Sequence, residues 1–486
     1  MLRDCSSRFI IKISKIVLLI GALIMTHSVA AQIVSKNGWR REANPLPGLR
    51  SNYVQDIVIH RGDIWLGTGK GLSRSRDRGN TWMTYTAANG LPRGEISAIT
   101  VNDSMIWVSG SFDSLTIDTG VQPTGSGLSY SLDDGQTWTH VPQPGPTPVL
   151  NVTYDIALRE NQIWAASYGG GLQLSTNRGR TWTVAPPDTF LFDALGNLNH
   201  RAFSVINADW VLWAGTAGGV NKSLDGGKTW TNFSHTNQAL PISGNFVGAL
   251  AQQKWRGREY IWAATRRAEN LNEIHAVSVS EDGGYSWRVA LAGEFSHNFA
   301  FDDSVAYVVS DNGLFKSNNF GYTWAKFAPI LSGGEQFLDS KIYAVAVANG
   351  RLWAAGPDGL AYTDNDGASW KILRGTVQAG ENGESRTFAY PNPFSPFRHN
   401  QLRGDGHVRF QYQTTRATKV TLKVFDFAME LVAEVVSQKE RPITGQYAEI
   451  WNGRNTRGDI VANGVYFYRI DLEGEGAFWG KVMVLD

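Results

Sequence analysis

The sequence predicts an all-β protein with two parts, a seven-bladed β-propeller of four-stranded blades followed by a small β-sandwich. One eight-residue motif occurs seven times between residues 75 and 370, at intervals of 37 to 57 residues. A strand centred on Trp or Tyr precedes every copy, and the 52 glycines suit the tight turns that many short strands require. Repeats of this length with strand-like sequence between them are typical of propellers and solenoids.

The repeated motif reads Ser/Thr-x-Asp/Asn-x-Gly-x-Ser/Thr-Trp. An Asp or Asn side chain can accept main-chain N–H bonds and close a turn, the Gly allows a positive φ, and the Trp can pack between neighbouring blades. Three copies carry Asn, which an essential acid would not tolerate, so we interpret the motif as a structural turn. Its third residue is Asp77, Asp133, Asn177, Asp225, Asp282, Asn319 or Asn365, and its last is Trp82, Trp138, Trp182, Trp230, Trp287, Trp324 or Trp370.

Each repeat contains four strand signals. In the first repeat residues 54–60 alternate, residues 63–68 form the Trp-centred strand, and residues 71–75 lead into the motif. Four short antiparallel strands make one propeller blade, and seven blades close into a ring, whereas an open stack needs dedicated capping repeats. Two segments compete for the outermost strand of the last blade: an isolated N-terminal strand within residues 38–52, which would close the ring, or residues 371–374.

The motif resembles the Asp-box, or BNR repeat, of sialidases, sortilin-type receptors and photosystem assembly factors. The resemblance covers residues from about 50 to 374 and rests on seven copies at blade spacing. It implies a propeller, and it implies no particular ligand, because one fold carries many functions.

The N-terminus has the pattern of a secretory signal peptide over residues 1–31. Four basic residues precede the apolar run Ile16–Met25, and small residues follow that run. No later stretch has the roughly 20 apolar residues of a membrane span. Cys5 is the only cysteine, so the mature chain has no disulfide and no thiol nucleophile. We therefore expect an exported bacterial protein, extracellular, at the cell surface or in the periplasm.

Charge and composition exclude several classes of partner. Beyond residue 31 the chain has 41 basic and 43 acidic side chains without a basic block, which argues against nucleic-acid binding. We expect no cofactor and no metal: the nine histidines form no His-x-x-x-His pair, and Asp113 and Asp118 lack the spacing of an EF-hand.

The composition changes after the last repeat. The chain divides into a signal peptide (1–31), a propeller (32–375), a Gly-rich polar linker (376–387) and a C-terminal module (388–486). The segment Glu449–Ile470, with Trp-x-Gly and Gly-Val-Tyr, resembles the Ig-like domain of flagellar hook-capping proteins. Together with Tyr-Pro-Asn-Pro-Phe at residues 390–394 it also resembles the sorting domains of type IX secretion. This implies an Ig-like sandwich that contacts secretion or cell-surface machinery.

Loop lengths predict which face of the propeller binds a ligand. The motif turns and the first-to-second strand turns that we compared lie on one face and are short, whereas long insertions occur at residues 111–126, 186–203 and 266–273 on the opposite face. Long loops on a rigid scaffold commonly carry function. The candidate ligand residues on that face are Asp113, Asp118, Tyr168, Arg266, Arg267, Glu269 and Glu273.

Three functions fit these observations. The one we favour is a non-catalytic binding or scaffold protein whose long-loop face holds a protein or a glycan and whose C-terminal module serves secretion or surface attachment. The alternatives are a secreted glycan-processing hydrolase, sialidase-like or glucanase-like, and a periplasmic assembly factor. A glycosidase would need two carboxyl groups flanking the scissile bond, or a Tyr–Glu pair with arginines. Acids on loops are usually only solvated, so we name no catalytic residue.

Overall fold

The computed structural model describes residues 44–116, 120–147, 149–332, 335–375, 386–397 and 405–485. These residues form strands and turns, with two short 3-10 helices at Ala87–Asn89 and Leu198–His200. In this part of the chain no helix is long and apolar enough to cross a membrane. The predicted signal peptide lies outside the described residues. The predicted all-β fold is confirmed.

Seven antiparallel sheets follow one another along the chain, and each contains four strands in chain order, to which the first sheet adds a fifth, outermost strand. The strands of blade 1 are Val54–His60, Asp63–Thr68, Gly71–Ser75 and Met83–Tyr85; of blade 2, Glu95–Val101, Ile106–Thr116, Gly120–Ser131 and Thr139–Val141; of blade 3, Thr153–Arg159, Gln162–Ser167, Gly171–Ser175 and Thr183–Val184; of blade 4, Ala202–Ala208, Val211–Thr216, Gly219–Ser223 and Thr231–Phe233. Those of blade 5 are Phe246–Trp255, Arg258–Arg266, Ala276–Ser280 and Arg288–Ala290; of blade 6, Ser296–Asp302, Val305–Ser310, Gly313–Ser317 and Ala325–Lys326; of blade 7, Ala344–Ala348, Arg351–Gly356, Gly359–Thr363 and Lys371–Leu373. A small hairpin, Leu331–Ser332 with Glu335–Gln336, lies between blades 6 and 7.

The repeated motif forms the turn between the third and fourth strands through a fixed set of hydrogen bonds. In the first copy the Asp77 carboxylate accepts bonds from Ser75 Oγ at 2.9 Å, Thr81 N at 2.8 Å and Thr81 Oγ1 at 2.6 Å. Ser75 Oγ accepts a bond from Gly79 N at 2.8 Å, and the Trp82 indole donates to the Gly79 carbonyl at 3.1 Å. Bonds from Thr81 hold the pKa of Asp77 below its usual value. The turn is thus closed by its own side chains.

The copies with Asn make the same turn with one bond reversed. Asn177 Oδ1 accepts the main-chain N–H of Thr181 at 2.9 Å, as Asp does. Its amide Nδ2 donates to Thr181 Oγ1 at 2.8 Å, whereas in the Asp copies the hydroxyl donates to the carboxylate. Asn319 and Asn365 do the same at 3.0 and 2.8 Å. A negative charge is therefore not needed at this position.

The motif tryptophans pack each blade against the one before it. Trp182, Trp230 and Trp324 meet the central Trp of the preceding blade edge to face, with ring centroids 6.0–6.5 Å apart. Trp138 makes the equivalent contact with Tyr85. These rings are buried on most of their surface, so every blade interface has an aromatic core.

The same contact closes the ring between blades 7 and 1. Trp82 meets Trp353 edge to face at 6.5 Å, and a Cβ added at Gly79 would lie 2.4 Å from the Trp353 ring. Arg351 Nη1 also donates to the carbonyl of Arg78 at 2.7 Å. Ring closure therefore uses side-chain packing between two complete blades.

Among the described residues, no N-terminal strand closes the ring, so this prediction is wrong for them. Lys371–Leu373 forms the outermost strand of blade 7 and pairs with Gly359–Thr363. Leu46–Pro47 instead pairs with Met83–Tyr85, as a fifth strand outside blade 1. The fourth strand of blade 7 is built from its own repeat, so no position is left for the N-terminal segment. Residues 38–43 lie outside the described part.

The C-terminal strands form two antiparallel sheets with one shared core. One sheet contains Thr387–Tyr390, Val408–Thr414 and Gly445–Trp451; the other contains Leu431–Arg441, Thr418–Phe425, Gly464–Leu472 and Gly476–Val484, in that order. Phe410, Trp451 and Tyr468 lie in the core between them. Two sheets that bury one face each against the other make a β-sandwich.

A buried ion cluster joins this sandwich to blade 7. The Asp358 carboxylate has no exposed surface and forms ion pairs with Arg409 of the sandwich and with Arg374, whose Nη2 is 3.1 Å away. It also accepts the main-chain N–H of Leu338 at 2.8 Å. A buried carboxylate is stable only when its charge is paired in this way. The sandwich therefore has a fixed contact with the propeller.

We expect Asp77→Asn to leave stability almost unchanged and Asp77→Ala to cost about 1 kcal/mol, as the loss of a capping side chain does. Because the folded-state pKa of Asp77 is lowered, its charged contribution is present above the unfolded-state pKa and is lost as the pH falls through the folded-state pKa. Urea unfolding of the two variants at neutral pH checks the expectation. An equal loss of unfolding free energy in Asp77→Asn and Asp77→Ala would show that the charge of Asp77 is itself required.

Candidate functional site

A central cavity of about 690 Å³ is lined by the innermost strands of all seven blades. Its mouth lies on the long-loop face, where the first strands begin and the second strands end. Side chains near the starts of the innermost strands line the cavity and decide what it can bind. Concave sites of this size are the usual place for ligands.

A β-bulge in the innermost strands aims one side chain per blade into the cavity. The register between first and second strands shifts by one residue near the mouth in six blades. A bulge inserts an extra residue and re-aims its side chain. The resulting ring, the bulge ring, contains Gln55, Ser97, Tyr154, Phe203, Gly248 and His297, with Tyr343 at the matching position of blade 7, and all seven line the cavity.

Aromatic side chains and one arginine form a continuous arc around the mouth. On one side Tyr154 contacts Phe203 at 5.7 Å between ring centroids, and Phe203 contacts Phe246 at 4.3 Å. Arg266 lies over Phe246 at 5.6 Å and over Phe295 at 3.8 Å.

The arc continues on the other side of Arg266. Phe295 contacts His297 at 5.4 Å, His297 contacts Tyr343 at 5.1 Å, and Tyr343 contacts Tyr53 at 5.8 Å. We call these eight residues, from Tyr154 through Arg266 to Tyr53, the mouth arc. It surrounds the cavity except at blade 2, where Ser97 occupies the bulge ring.

Two carboxyl groups lie below the mouth and link neighbouring blades. Asp56 accepts the main-chain N–H of Ile99 in blade 2 at 3.0 Å. Asp155 accepts the main-chain N–H of Val205 at 2.9 Å and the hydroxyl of Ser204 at 2.7 Å, both in blade 4. Enclosure by protein raises the pKa of Asp56 to about 7, with a further contribution from the charge of Asp155, and burial also raises the pKa of Asp155. Both groups hold the ring together.

The structure brings two of the predicted ligand residues to the mouth. Arg266 is the centre of the mouth arc, and Tyr168 contacts Phe203 at 6.1 Å with Arg201 over its ring. Arg267 and Glu269 are exposed on the blade 5 insertion. Asp113 is exposed on the long hairpin of blade 2, and Asp118 lies outside the described residues.

Glu273 corrects one of these predictions. Its side chain is buried, and its carboxylate accepts bonds from Asn245 N at 3.2 Å, Asn245 Nδ2 at 2.8 Å and Ala268 N at 2.6 Å. These bonds fix the blade 5 insertion against the loop that enters the blade. Glu273 is therefore a structural residue and offers no free carboxylate to a ligand.

The loop from blade 3 to blade 4 exposes apolar side chains from a rigid base. His200 is buried, with Nε2 at 2.9 Å from Asp188 Oδ1, and its Nδ1 accepts the N–H of Asp193 at 2.8 Å. The loop leaves Leu191 93% and Leu195 79% exposed. Exposed apolar side chains on a preorganised loop are typical of interaction surfaces.

Most residues of the mouth arc were not predicted from the sequence. Tyr53, Phe203, Phe246, His297 and Tyr343 stand at or just before the first strands, and none was a candidate. One signal was present: most repeats carry an aromatic or His residue there. Within the described residues no group of His, Cys, Asp and Glu is arranged to hold a metal ion.

Comparison with known proteins supports the fold. No protein-family model matches the chain. The chain is 23% identical over 369 residues to the chloroplast photosystem II stability/assembly factor HCF136 of Oryza sativa subsp. japonica, covering 72% of this chain and 78% of that protein.

Solved structures of similar fold include two glycoside hydrolases of the GH74 class. The xyloglucanase from Xanthomonas campestris is 14% identical with a TM-score of 0.52, over 76% of this chain and 59% of that enzyme. The enzyme from Niastella koreensis is 14% identical with a TM-score of 0.52, over 92% and 75% of the two chains. This chain therefore spans 59% of the length of the Xanthomonas enzyme. At these identities the likeness shows a shared propeller fold.

We expect Asp56→Asn to flatten the pH dependence of stability. A carboxyl group whose folded-state pKa is raised stabilises fully below its unfolded-state pKa and loses that contribution as the pH rises through about 7. Between pH 5 and pH 8 the free energy of unfolding should fall by about 2 kcal/mol more in the wild type than in the variant. Urea unfolding at both pH values measures this difference. An equal fall in both proteins would contradict the raised pKa of Asp56. Asp77→Asn is the matched control, since its pKa is shifted in the opposite direction.

Proposed function

We propose that the protein is a non-catalytic binding scaffold that holds a segment of another protein at the mouth of the propeller. The mouth arc carries this proposal, because six of its seven rings and its one arginine line a cavity of about 690 Å³. Aromatic rings supply large contact areas at a low cost in side-chain entropy. The side chains of the arc are therefore suited to binding a partner.

Hydrolysis of a glycan is less well supported by the same geometry. A glycosidase uses one carboxyl group as an acid and a second as a base or nucleophile. Asp56 and Asp155 are the carboxyl groups of the cavity lining, and both are bonded to main-chain N–H groups of adjacent blades. Changing their protonation or position would disturb the ring that they hold. We therefore place them in the scaffold.

A protein partner fits the surroundings of the mouth better than a glycan does. Next to the arc the rigid loop presents Phe190, Leu191 and Leu195, which are exposed and apolar. Apolar side chains of this kind bind apolar side chains, whereas sugars need polar partners beside each ring. The name of the rice relative, an assembly factor, favours the same kind of role. The glycan-binding alternative remains an outcome of the test below.

The proposal includes export and attachment at the cell surface. The N-terminal residues 1–31 have the pattern of a signal peptide, and residues 388–486 resemble sorting and Ig-like modules. The contact of Asp358 with Arg409 would carry the sandwich and the propeller as one body. A partner held at the mouth would then be held at the cell surface, or in the periplasm if the protein is retained there.

Tyr154→Ala should abolish peptide binding by the full mature chain on a peptide array. Tyr154 is 40% exposed at one end of the mouth arc, so its loss removes contact area without opening the core. The matched control is Tyr285→Ala, which removes a 73% exposed ring from the motif face. Peptide spots that Tyr285→Ala keeps and Tyr154→Ala loses support the proposal. Binding confined to a glycan array, or equal loss in both variants, would contradict it.

Removing the sandwich should abolish surface display while the propeller stays folded. A chain that ends at residue 375 loses Arg409, but Asp358 keeps its ion pair with Arg374, so no buried charge is left unpaired. The full-length chain is the control. Display is measured with an antibody on intact cells. Unchanged display of the folded truncated chain would reject the attachment role.

A further inference from the structure

The bulge ring has one gap, and Arg266 fills it. Six of its seven positions carry a side chain, whereas blade 5 has Gly248. A Cβ added at Gly248 would lie 3.2 Å from the Arg266 guanidinium carbon and 3.2 Å from Nη2. The backbone of Gly248 needs no positive φ, so its missing side chain is what leaves the space. Arg266, at the end of the second strand, lies across this space and into the cavity.

The guanidinium of Arg266 lies in an apolar place without a counter-ion. It stacks over Phe295 at 3.8 Å, Nη2 donates to the carbonyl of Ser296 at 3.2 Å, and the buried Nε has no hydrogen-bond partner. Among the described residues no carboxylate oxygen lies within ion-pair distance of it. Asp311, the acid that acts on it most, is paired with His297 at 2.7 Å. Burial lowers the pKa of Arg266 to about 10.

Burying a cation without a partner costs desolvation free energy, and an anion that binds beside the cation offsets that cost. The planar guanidinium offers paired N–H groups in the geometry that a carboxylate accepts. The other half of the mouth offers the same group acids instead of a cation, because Asp56 and Asp155 line the cavity there and Glu95 stands close by, bonded to Ser111 at 3.1 Å. The mouth is therefore polarised, with its cation at blades 5 and 6.

We propose that Arg266 binds a carboxylate of the partner, beside an apolar side chain that packs on Phe246, Phe203 and Tyr154. This inference rests on the proposed function and names the chemistry of the segment that the mouth takes. The carboxylate belongs either to an acidic side chain or to the end of a chain. Both sources share the chemistry that Arg266 recognises, and the test separates them.

Three small probes test this on the full mature chain by saturation-transfer NMR. N-acetylphenylalaninate has a terminal carboxylate beside a ring, N-acetyl-aspartyl-phenylalanine amide has only a side-chain carboxylate, and N-acetylphenylalanine amide has neither. At least one carboxylate probe should bind, and the neutral amide should bind at least about tenfold more weakly. The carboxylate probe that binds identifies the source of the group.

Variants assign the binding to Arg266. Arg266→Gln should weaken the carboxylate probe at least about tenfold, the loss of one charge-assisted bond or more. Arg267→Gln is the matched control, because it removes the same charge from the exposed neighbour and should change nothing. Gly248→Ser adds the side chain that blade 2 carries as Ser97 and should weaken binding by displacing the guanidinium. Thermal unfolding confirms that each variant is folded, and Gly248→Ser replaces Arg266→Gln if that variant is not.

Three results would overturn the inference: binding of no probe, equal binding of the neutral amide, or unchanged affinity when Arg266 is replaced. Such a result is distinguishable from failure of the proposed function. If Tyr154→Ala loses peptide binding on the array while Arg266→Gln keeps it, the proposed function is supported and only the role of Arg266 is wrong. If both variants bind every peptide that the wild type binds, both proposals are wrong.

Discussion

The contact between a motif Trp and the aromatic core of the preceding blade is the interaction on which the rest of the structure depends. Trp182 on Trp107 and Trp82 on Trp353 show the same edge-to-face geometry, at 6.5 Å. The turn that presents each Trp is closed by Asp or Asn, and its Gly lets the neighbouring ring approach. Because one contact serves both within the ring and at its closure, seven similar blades suffice and no exchanged strand is needed.

The aromatic contacts between blades lie away from the innermost strands, so many side chains on those strands can vary. Six blades have a bulge near the mouth, and the seven positions of the bulge ring differ in chemistry. Tyr154, Phe203 and His297 line the cavity at these positions, whereas Asp56 and Asp155, each one residue after a bulge position, bond to the next blade. Blade 5 has Gly248 at this position, and the Arg266 guanidinium occupies the space that a side chain there would fill. The residues proposed to bind a partner are thus those at which the blades differ from one another.

The sequence predicts the regular parts of the fold because they follow local rules. The strands Asp63–Thr68 and Gly71–Ser75 and the motif turns have the predicted bounds. Arg266 was predicted, but Tyr154, Phe203 and His297 were not, because a bulge shifts the alternation by one residue and reverses which side chains face the axis. Glu273 was misassigned, since only the folded loop shows its three main-chain and amide donors.

The claim that the long-loop mouth is the binding face is tested most directly by cross-linking in producing cells. A photoreactive phenylalanine analogue placed at position 154, in the mouth arc, is compared with one at position 285, on the motif face. The account predicts a discrete cross-linked partner from position 154 that competes with unlabelled wild-type protein, and none from position 285. Cross-links from position 285 alone would contradict it.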